Sequence, residues 1–367
     1  MRLQQLHRQA FAGQQGCGGE AGDAGAHHHH IEARRAALLH RGMLAAALIA
    51  LLMALPVAVA GKDPLAVWLA AQLGVRLQAR CPVGGGCIHR AWRLELVAEG
   101  DSPRLLFAKT NRASALPLLQ AEAAGLEALG RFCSPAGRAE LLVPQPLALA
   151  VVGEEAVLVL PWLEFAAGAG DGLSDAAWWA MGEALADLHR GSAQTAPVQG
   201  FGWAADNFIG SSPQINGWLP CWRSFFLARR LQPQLEQACR GGLERRQAER
   251  LLARAEAMLQ NHRPEPVLVH GDLWSGNAGF CGDGLPVLYD PAVYWGDREV
   301  DLAMAQLFGG FATPFFRGYD ACWPLPDGHQ LRVQLYNLYH LLNHLNLFGG
   351  SYRGQVLAAM QRLLAGS

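Results

Sequence analysis

From residue 63 onward, the hydrophobic positions first alternate in short runs and later repeat at helical spacing. Asp63-Pro64 reads as a cap followed by proline at the first helical position. Leu65, Trp68, Leu69 and Leu73 then recur on one face, and Gly74 closes the helix. Strand-like segments follow at 77–83, 89–97 and 104–110, then a helix over 115–132 whose buried face carries Leu118, Leu119, Leu126 and Leu129. Segments 147–152 and 155–160 complete five strands. Residues 161–165 read as a hinge, with glycine-rich 168–172 as flexible chain after it. Beyond the hinge the period is helical: Ser174 caps a helix bearing Trp178, Met181, Leu185 and Leu188. A charged surface helix over 244–261 leads to short strands at 266–269 and 285–289. Helices at 302–308 and 330–348 follow, the second with Leu331, Leu335, Leu338, Leu342 and Leu345 along it. The pattern predicts an α+β protein of two lobes. Residues 63–163 form an antiparallel five-stranded sheet with a helix, and 164–367 form a mainly helical lobe.

Composition separates the first 62 residues from this frame. Gln, Gly, Ala and His dominate residues 1–30, including His27–His30. An apolar run over 43–60 follows Arg34, Arg35 and Arg41 and ends in Ala58-Val59-Ala60, the parts of a secretory signal. Pro56 interrupts it, and it is shorter than the roughly 20 residues of a membrane span. Residues 1–60 contain no Ser or Thr, unlike a transit peptide. We read this segment as an appendage outside the fold and expect a cytoplasmic protein. The full chain of 367 residues, 51% hydrophobic and 17% charged, is globular in composition. A net charge of −1 gives no electrostatic footprint for nucleic acid. The eight cysteines form no C-x-x-C pair, which argues against a zinc ribbon or a disulfide framework and suits a reducing compartment.

Candidate chemistry concentrates between His270 and Asp301. Asp272 and Asn277 are five positions apart, and Asp290 ends the second strand of the hairpin that follows. That spacing is the one phosphoryl transfer uses: a carboxylate for the acceptor hydroxyl, then an amide and a second carboxylate for magnesium. Upstream, Lys109 sits among apolar strand residues in Phe107-Ala108-Lys109-Thr110, a place for a phosphate-contacting amine, and Glu122 on the next helix is its expected partner. Gly84, Gly85 and Gly86 in the first hairpin turn let backbone N–H groups approach a phosphate. At the hinge, Pro161 keeps a carbonyl that accepts from an adenine amine, and Leu163 supplies the donor to the ring. Asp297, Arg298, Glu299 and Asp301 cap the following helix and are placed to hold the catalytic loop, while His189 reads as structural. Trp203, Asn207, Gln214, Asn216, Trp218 and Trp222 form an aromatic and amide cluster that suits either a sugar pocket or ordinary loop packing. His340 and His344 are four apart but lack a third ligand, so pocket hydrogen bonding fits them better than zinc.

These strings resemble the fructosamine kinase (ketosamine 3-kinase) family. The likeness rests on His270–Asn277 (HGDLWSGN), Asp290-Pro291-Ala292, WGDREVDLA from Trp295, LFGGF from Leu307 and YHLLNHLNLFGGSY from Tyr339, with Gly202, Asn207, Ile209-Gly210, Gln214 and Asn216 upstream. It covers residues 63–365. The resemblance implies a two-lobed protein-kinase-like fold and ATP- and Mg2+-dependent phosphorylation of the sugar 3-hydroxyl of ketosamines, carried on amines or proteins. Asp272 would be the base, Asn277 and Asp290 the metal ligands, and Lys109, braced by Glu122, the phosphate contact. Trp274 would stack on the sugar, with Asn216, Trp295, His340 and His344 around the pocket. Cys87, after the glycines, is similar to a redox-sensitive cysteine that links two subunits, so a homodimer through Cys87 is a further expectation. His89 departs from the Asn expected there. Two other readings stay open: a related kinase for an aminoglycoside or amino alcohol, and a catalytically inactive nucleotide-binding redox sensor.

Overall fold

The computed structural model describes residues 63–84, 88–97, 104–133, 139–166 and 173–366. The expectations for residues 1–62, for Gly85, Gly86 and Cys87, and for the chain at 168–172 lie outside these residues. Helix α1 (Pro64–Leu73) starts where its cap demands: the Asp63 Oδ1 accepts from the Leu65 N–H at 3.0 Å, and Gly74 closes it at φ 63°. Five strands then form one antiparallel sheet in the order β1-β2-β3-β5-β4. They are β1 (Arg76–Val83), β2 (Arg90–Val97), β3 (Arg104–Arg112), β4 (Ala148–Val152) and β5 (Glu155–Pro161). The alternation along β5 assigns its two faces. Val157 and Val159 pack with Leu65 and Leu69 of α1, whereas Leu158 and Leu160 pack with Leu119 and Leu126 of α2 (Leu116–Gly130).

The chain leaves the sheet through residues 162–166, which are fastened to the second lobe by backbone bonds. The Ala166 N–H donates to Phe280 O at 2.9 Å and the Gly282 N–H to Glu164 O at 3.1 Å. The helical lobe is built on α3 (Asp175–Ala193), capped by the Ser174 Oγ at 3.1 Å from the Ala177 N–H. A hairpin, β6 (Asn207–Ile209) with β7 (Ser212–Gln214), lies in the stretch read as loop. After it come α4 (Trp222–Phe225), a π-helical turn Phe226–Leu231, α5 (Gln232–Arg240) and α6 (Arg245–Leu259). Four short strands carry the site: β8 (Val267–Val269) pairs with β11 (Tyr294–Gly296), and β9 (Ala278–Phe280) with β10 (Pro286–Leu288). Helices α7 (Glu299–Leu307), α8 (Thr313–Cys322), α9 (His329–Phe348) and α10 (Arg353–Ala365) complete the lobe. Helices α3 and α8 touch backbone to backbone. A Cβ on Gly182 would lie 2.0 Å from Phe315 O, and one on Gly318 2.3 Å from Trp179 O. Among the described residues no helix is long and apolar enough to cross a membrane.

Candidate active site

The register of the sheet brings the first charged pair together. Lys109 stands between Ala91 and Leu158 on neighbouring strands, on the face that α2 covers. Its Nζ donates to Glu122 Oε1 at 2.7 Å, with both residues buried, and it also pairs with Asp290 Oδ1. The Lys109–Glu122 pair expected from sequence is therefore formed, and Asp290 joins it across the lobes. Helix α2 approaches closely enough because Gly125 faces the chain after Asp290: a Cβ there would sit 3.0 Å from the Pro291 Cγ. Asp290 is the only non-glycine with positive φ (57°) among the described residues. Asp tolerates this left-handed conformation better than most side chains, and such outliers cluster where function fixes the backbone.

Asp272 follows β8 in a turn that is held from behind. Asp301, in the first turn of α7, accepts from the His270 N–H at 2.7 Å and the Gly271 N–H at 2.9 Å. Only glycine fits between them. Gly271 has φ 80°, and a Cβ would meet Ala292 O at 2.2 Å. His270 uses both ring nitrogens, Nε2 toward Tyr289 O (3.0 Å) and Nδ1 toward the Asp272 N–H (3.3 Å). A carbonyl only accepts and an N–H only donates, so Nε2 carries the proton and the ring is neutral. Burial agrees, since it pushes the His270 pKa down. The Asn277 amide closes the turn, its Nδ2 donating to Asp272 O (2.9 Å), Asp272 Oδ2 (3.1 Å) and Asp290 O (3.3 Å). Burial raises the Asp272 carboxyl to about 7; the Asn277 bond opposes the rise and the charge of Asp301 adds to it. The site thus brings Asp272, Asn277, Asp290, Lys109 and Glu122 together. Among the described residues the Leu163 N–H has no backbone partner, and Pro161 ends β5 beside it. Gly84 closes β1 with open space around it.

Three residues expected on the acceptor side are buried. Asn216 is fully buried and its amide is committed, with Nδ2 donating to Asn207 Oδ1 (2.6 Å) and Oδ1 accepting from Arg230 Nη2 (2.6 Å). Trp295 lies in β11, packed in the core edge-on to Phe132. His340 is buried, and burial with His344 beside it lowers its pKa to about 3. Asn216 is tied to its neighbours by hydrogen bonds and Trp295 by ring packing, whereas the buried His340 Nδ1 has no hydrogen-bond partner among the described residues. The aromatic and amide cluster is likewise a packed network, with Asn207, Gln214 and Trp222 also buried. Trp274 and His344 are half-buried. The Trp274 indole covers Gly276 and meets Phe308 (6.4 Å), which meets His344 (4.9 Å). The His344 Nδ1 donates to His340 O at 2.8 Å, leaving Nε2 as an acceptor.

Several supports had no signal in the sequence reading. Tyr319 and Ser192 reach the catalytic loop only through the fold, and Arg230 is a buried cation stacked on Tyr294 at 3.9 Å. His262, Asp297 and Glu299 are grouped like metal ligands. Their atoms are already engaged: Asp297 Oδ2 accepts from His262 (2.6 Å) and Tyr336 (2.7 Å), and Arg332 holds Glu299 by two bonds. The group is an ion-pair network bracing α7.

Residues 64–366 match the fructosamine kinase family. The chain belongs to that family. A probable ketoamine kinase of Synechocystis sp. is 42% identical over 291 residues, covering 79% of this chain and 91% of the relative. One from Escherichia coli K12 is 34% identical over 298 residues, covering 81% and 97%. Among solved structures, candidate fructosamine-3-kinases from Haemophilus somnus (26% identical, TM-score 0.70, covering 82% and 96%) and Thermobifida fusca (29%, 0.68, 84% and 100%) share the architecture. An aminoglycoside phosphotransferase at 16% identity and TM-score 0.54, covering 82% and 98%, extends the likeness of fold to protein-kinase-like phosphotransferases.

Membership in a kinase family implies a nucleotide and a divalent cation, and the donor set suits both. Asn277 spends its N–H groups on Asp272 and Asp290, which leaves Oδ1 without a protein donor among the described residues, while Lys109 engages one Asp290 oxygen. Two hard oxygen donors flanking the paired strands β9 and β10 match what magnesium takes from a protein when phosphates and water fill its other positions.

Proposed function

We propose that this fructosamine kinase family member transfers the γ-phosphoryl of ATP to the sugar 3-hydroxyl of ketosamines, the adducts of ribulose, erythrulose or fructose on small amines or proteins. The phosphorylated adduct then loses its sugar, so the reaction begins deglycation. The observation that carries the reading is the geometry: the Asp272 carboxylate held by the Asn277 amide beside the Asp290–Lys109–Glu122 cluster. Asp272 orients the acceptor hydroxyl and takes its proton as the bond to phosphorus forms. Lys109, braced by Glu122, meets the phosphates. Asn277 and Asp290 hold Mg2+, which neutralises charge on the transferring group. Trp274 offers its ring to the sugar and His344 an acceptor nitrogen. The hinge takes adenine through the Pro161 carbonyl and the Leu163 N–H. Its ATP dependence favours the cytoplasm as its site of action.

Mass spectrometry of ribulose- and fructose-modified peptides incubated with ATP and Mg2+ tests the reading. A gain of one phosphate on the adduct, followed by loss of the sugar, is the expected result. Phosphorylation of aminoglycosides or amino alcohols with no change in the glycated peptides would overturn it.

A further inference from the structure

His189 is fully buried near the end of α3, and both of its ring nitrogens are engaged. Nε2 lies 3.2 Å from Asp301 Oδ2, and Nδ1 lies 2.9 Å from the Tyr319 hydroxyl. Side-chain chemistry orders the protons along this chain. Burial alone would raise the Asp301 carboxyl, but the bonds from His189 and from the Gly271 N–H act against it, and the carboxyl stays below its usual range. As a carboxylate it only accepts, so Nε2 donates. Arg298 Nη1 reaches the Tyr319 oxygen at 3.5 Å, and the Tyr319 O–H then turns to the His189 Nδ1. Arg298 is itself fixed, by bonds to Trp323 O (2.6 Å) and Pro324 O (2.5 Å) and by stacking on Trp323. A continuous line of donors therefore runs from Arg298 through Tyr319 and His189 to Asp301, and on to the amides of His270 and Gly271.

Asp301 Oδ2 is the shared point, accepting from both His189 and the His270 N–H. A carboxylate rotating about its Cβ–Cγ bond would trade one of those amides for the other. The bond from His189 fixes the carboxylate plane with one oxygen on each amide. One turn along α3, the Ser192 Oγ accepts from the Leu268 N–H at 2.9 Å, so the same helix grips the strand leading into the loop.

We propose that His189 is a positioning residue for phosphoryl transfer: it orients Asp301, and through Asp301 it sets the backbone that aims Asp272. Nothing in this role touches substrate. Its effect appears in turnover and in the order of the loop rather than in nucleotide affinity. The proposal rests on the phosphotransferase reading for its catalytic consequence alone; its structural half stands without it.

The test compares His189→Leu, which removes the donor, with His189→Gln, which keeps an N–H at similar reach. Amide hydrogen exchange at residues 268–273 is read beside kcat and KM for ATP on a ribulose-modified peptide. In His189→Leu, exchange at His270 and Gly271 should quicken on the order of 10-fold while β3 stays as in the parent protein. Turnover should fall on the order of 10-fold with KM for ATP within about twofold, because orientation and not binding is lost. His189→Gln should restore most of both. Unchanged exchange at the two amides in His189→Leu, or equal impairment of the Leu and Gln variants, overturns the proposal. Should the Leu variant fail to fold, Tyr319→Phe decides: it frees Nδ1 while keeping the ring, and exchange as slow as in the parent protein counts against the relay. Absence of turnover in the unmodified protein would count against the ketosamine reading, and the exchange measurements would still decide the relay.

Discussion

Burial raises the Asp272 carboxyl to about 7, against an unfolded value near 3.8. Between those values the folded state keeps a proton that the unfolded chain has released, so this group favours folding at low pH. The contribution is lost as pH rises, and above pH 7 the half-buried carboxylate carries a cost on the order of 1–4 kcal/mol at about 1.4 kcal/mol per pKa unit. A base for the acceptor hydroxyl must be unprotonated, so the role proposed for Asp272 needs the state that folding disfavours. Asp272→Asn removes the charge and leaves an oxygen for the Asn277 amide. The urea midpoint of that variant at pH 8, in EDTA, is therefore expected to exceed the parent's, with the gain gone by pH 4. A midpoint no higher than the parent's at pH 8 would show that the carboxylate is not strained by its burial. Asp272→Ala should lower turnover on the order of 10²–10⁴-fold with ATP affinity little changed. Turnover like that of the parent enzyme would remove Asp272 from the chemistry. In the parent enzyme, kcat/KM should rise with pH toward 7 as Asp272 ionises; a profile flat from pH 5 to 8 would speak against it as the base.

Helices α3 and α8 place His189 and Tyr319, and the two glycines at their crossing set how close the helices come. A methyl group on Gly182 would lie 2.0 Å from a backbone carbonyl, which cannot yield as a flexible side chain would. Gly182→Ala is expected to cost about 1–3 kcal/mol in urea unfolding through overpacking. It should also lower turnover by spreading the two helices that carry the relay. Loss of stability with turnover per folded molecule unchanged would separate α8 from the catalytic loop. The crossing also marks where the sequence stopped being legible. Caps and periods gave α1, α2, α3 and α9 nearly to the residue, because Asp63, Gly74 and Ser174 act on their own neighbours. The catalytic loop was legible for the same reason: Asp272 and Asn277 meet across five residues. The burial of Asn216, Trp295 and His340 was not legible because a polar or aromatic side chain carries no mark of whether water or a distant amide will satisfy it. For Asn216 the deciding partner is Arg230, in a π-helical turn that local propensity does not foretell. Only tertiary packing makes that distinction.

Across the whole molecule, burial acts with one sign on the histidines and the other on Asp272. His340 is lowered to about 3, and His270 and His344 are lowered as well, each chiefly by burial. An unfolded histidine takes its proton near pH 6.5, while these folded ones refuse it until the pH is lower. Between those values the unfolded chain binds more protons, so their contribution is complete above about 6.5 and is lost as pH falls toward the folded values. The cost approaches about 1.4 kcal/mol per pH unit for each buried ring. Asp272 runs the other way over nearly the same range, from about 7 down to 3.8, and masks part of the effect. Raised Glu299 adds to the masking. The histidine slope should therefore emerge most clearly in the Asp272→Asn background, where the urea midpoint is expected to drop from pH 7 to pH 5 more steeply than in the parent. Adding His340→Gln, which keeps a polar side chain at the same place without a group that titrates, should flatten that slope. Equal slopes with and without His340 would mean that the ring is already protonated in the folded protein, against its burial beside His344 and the Arg230 charge.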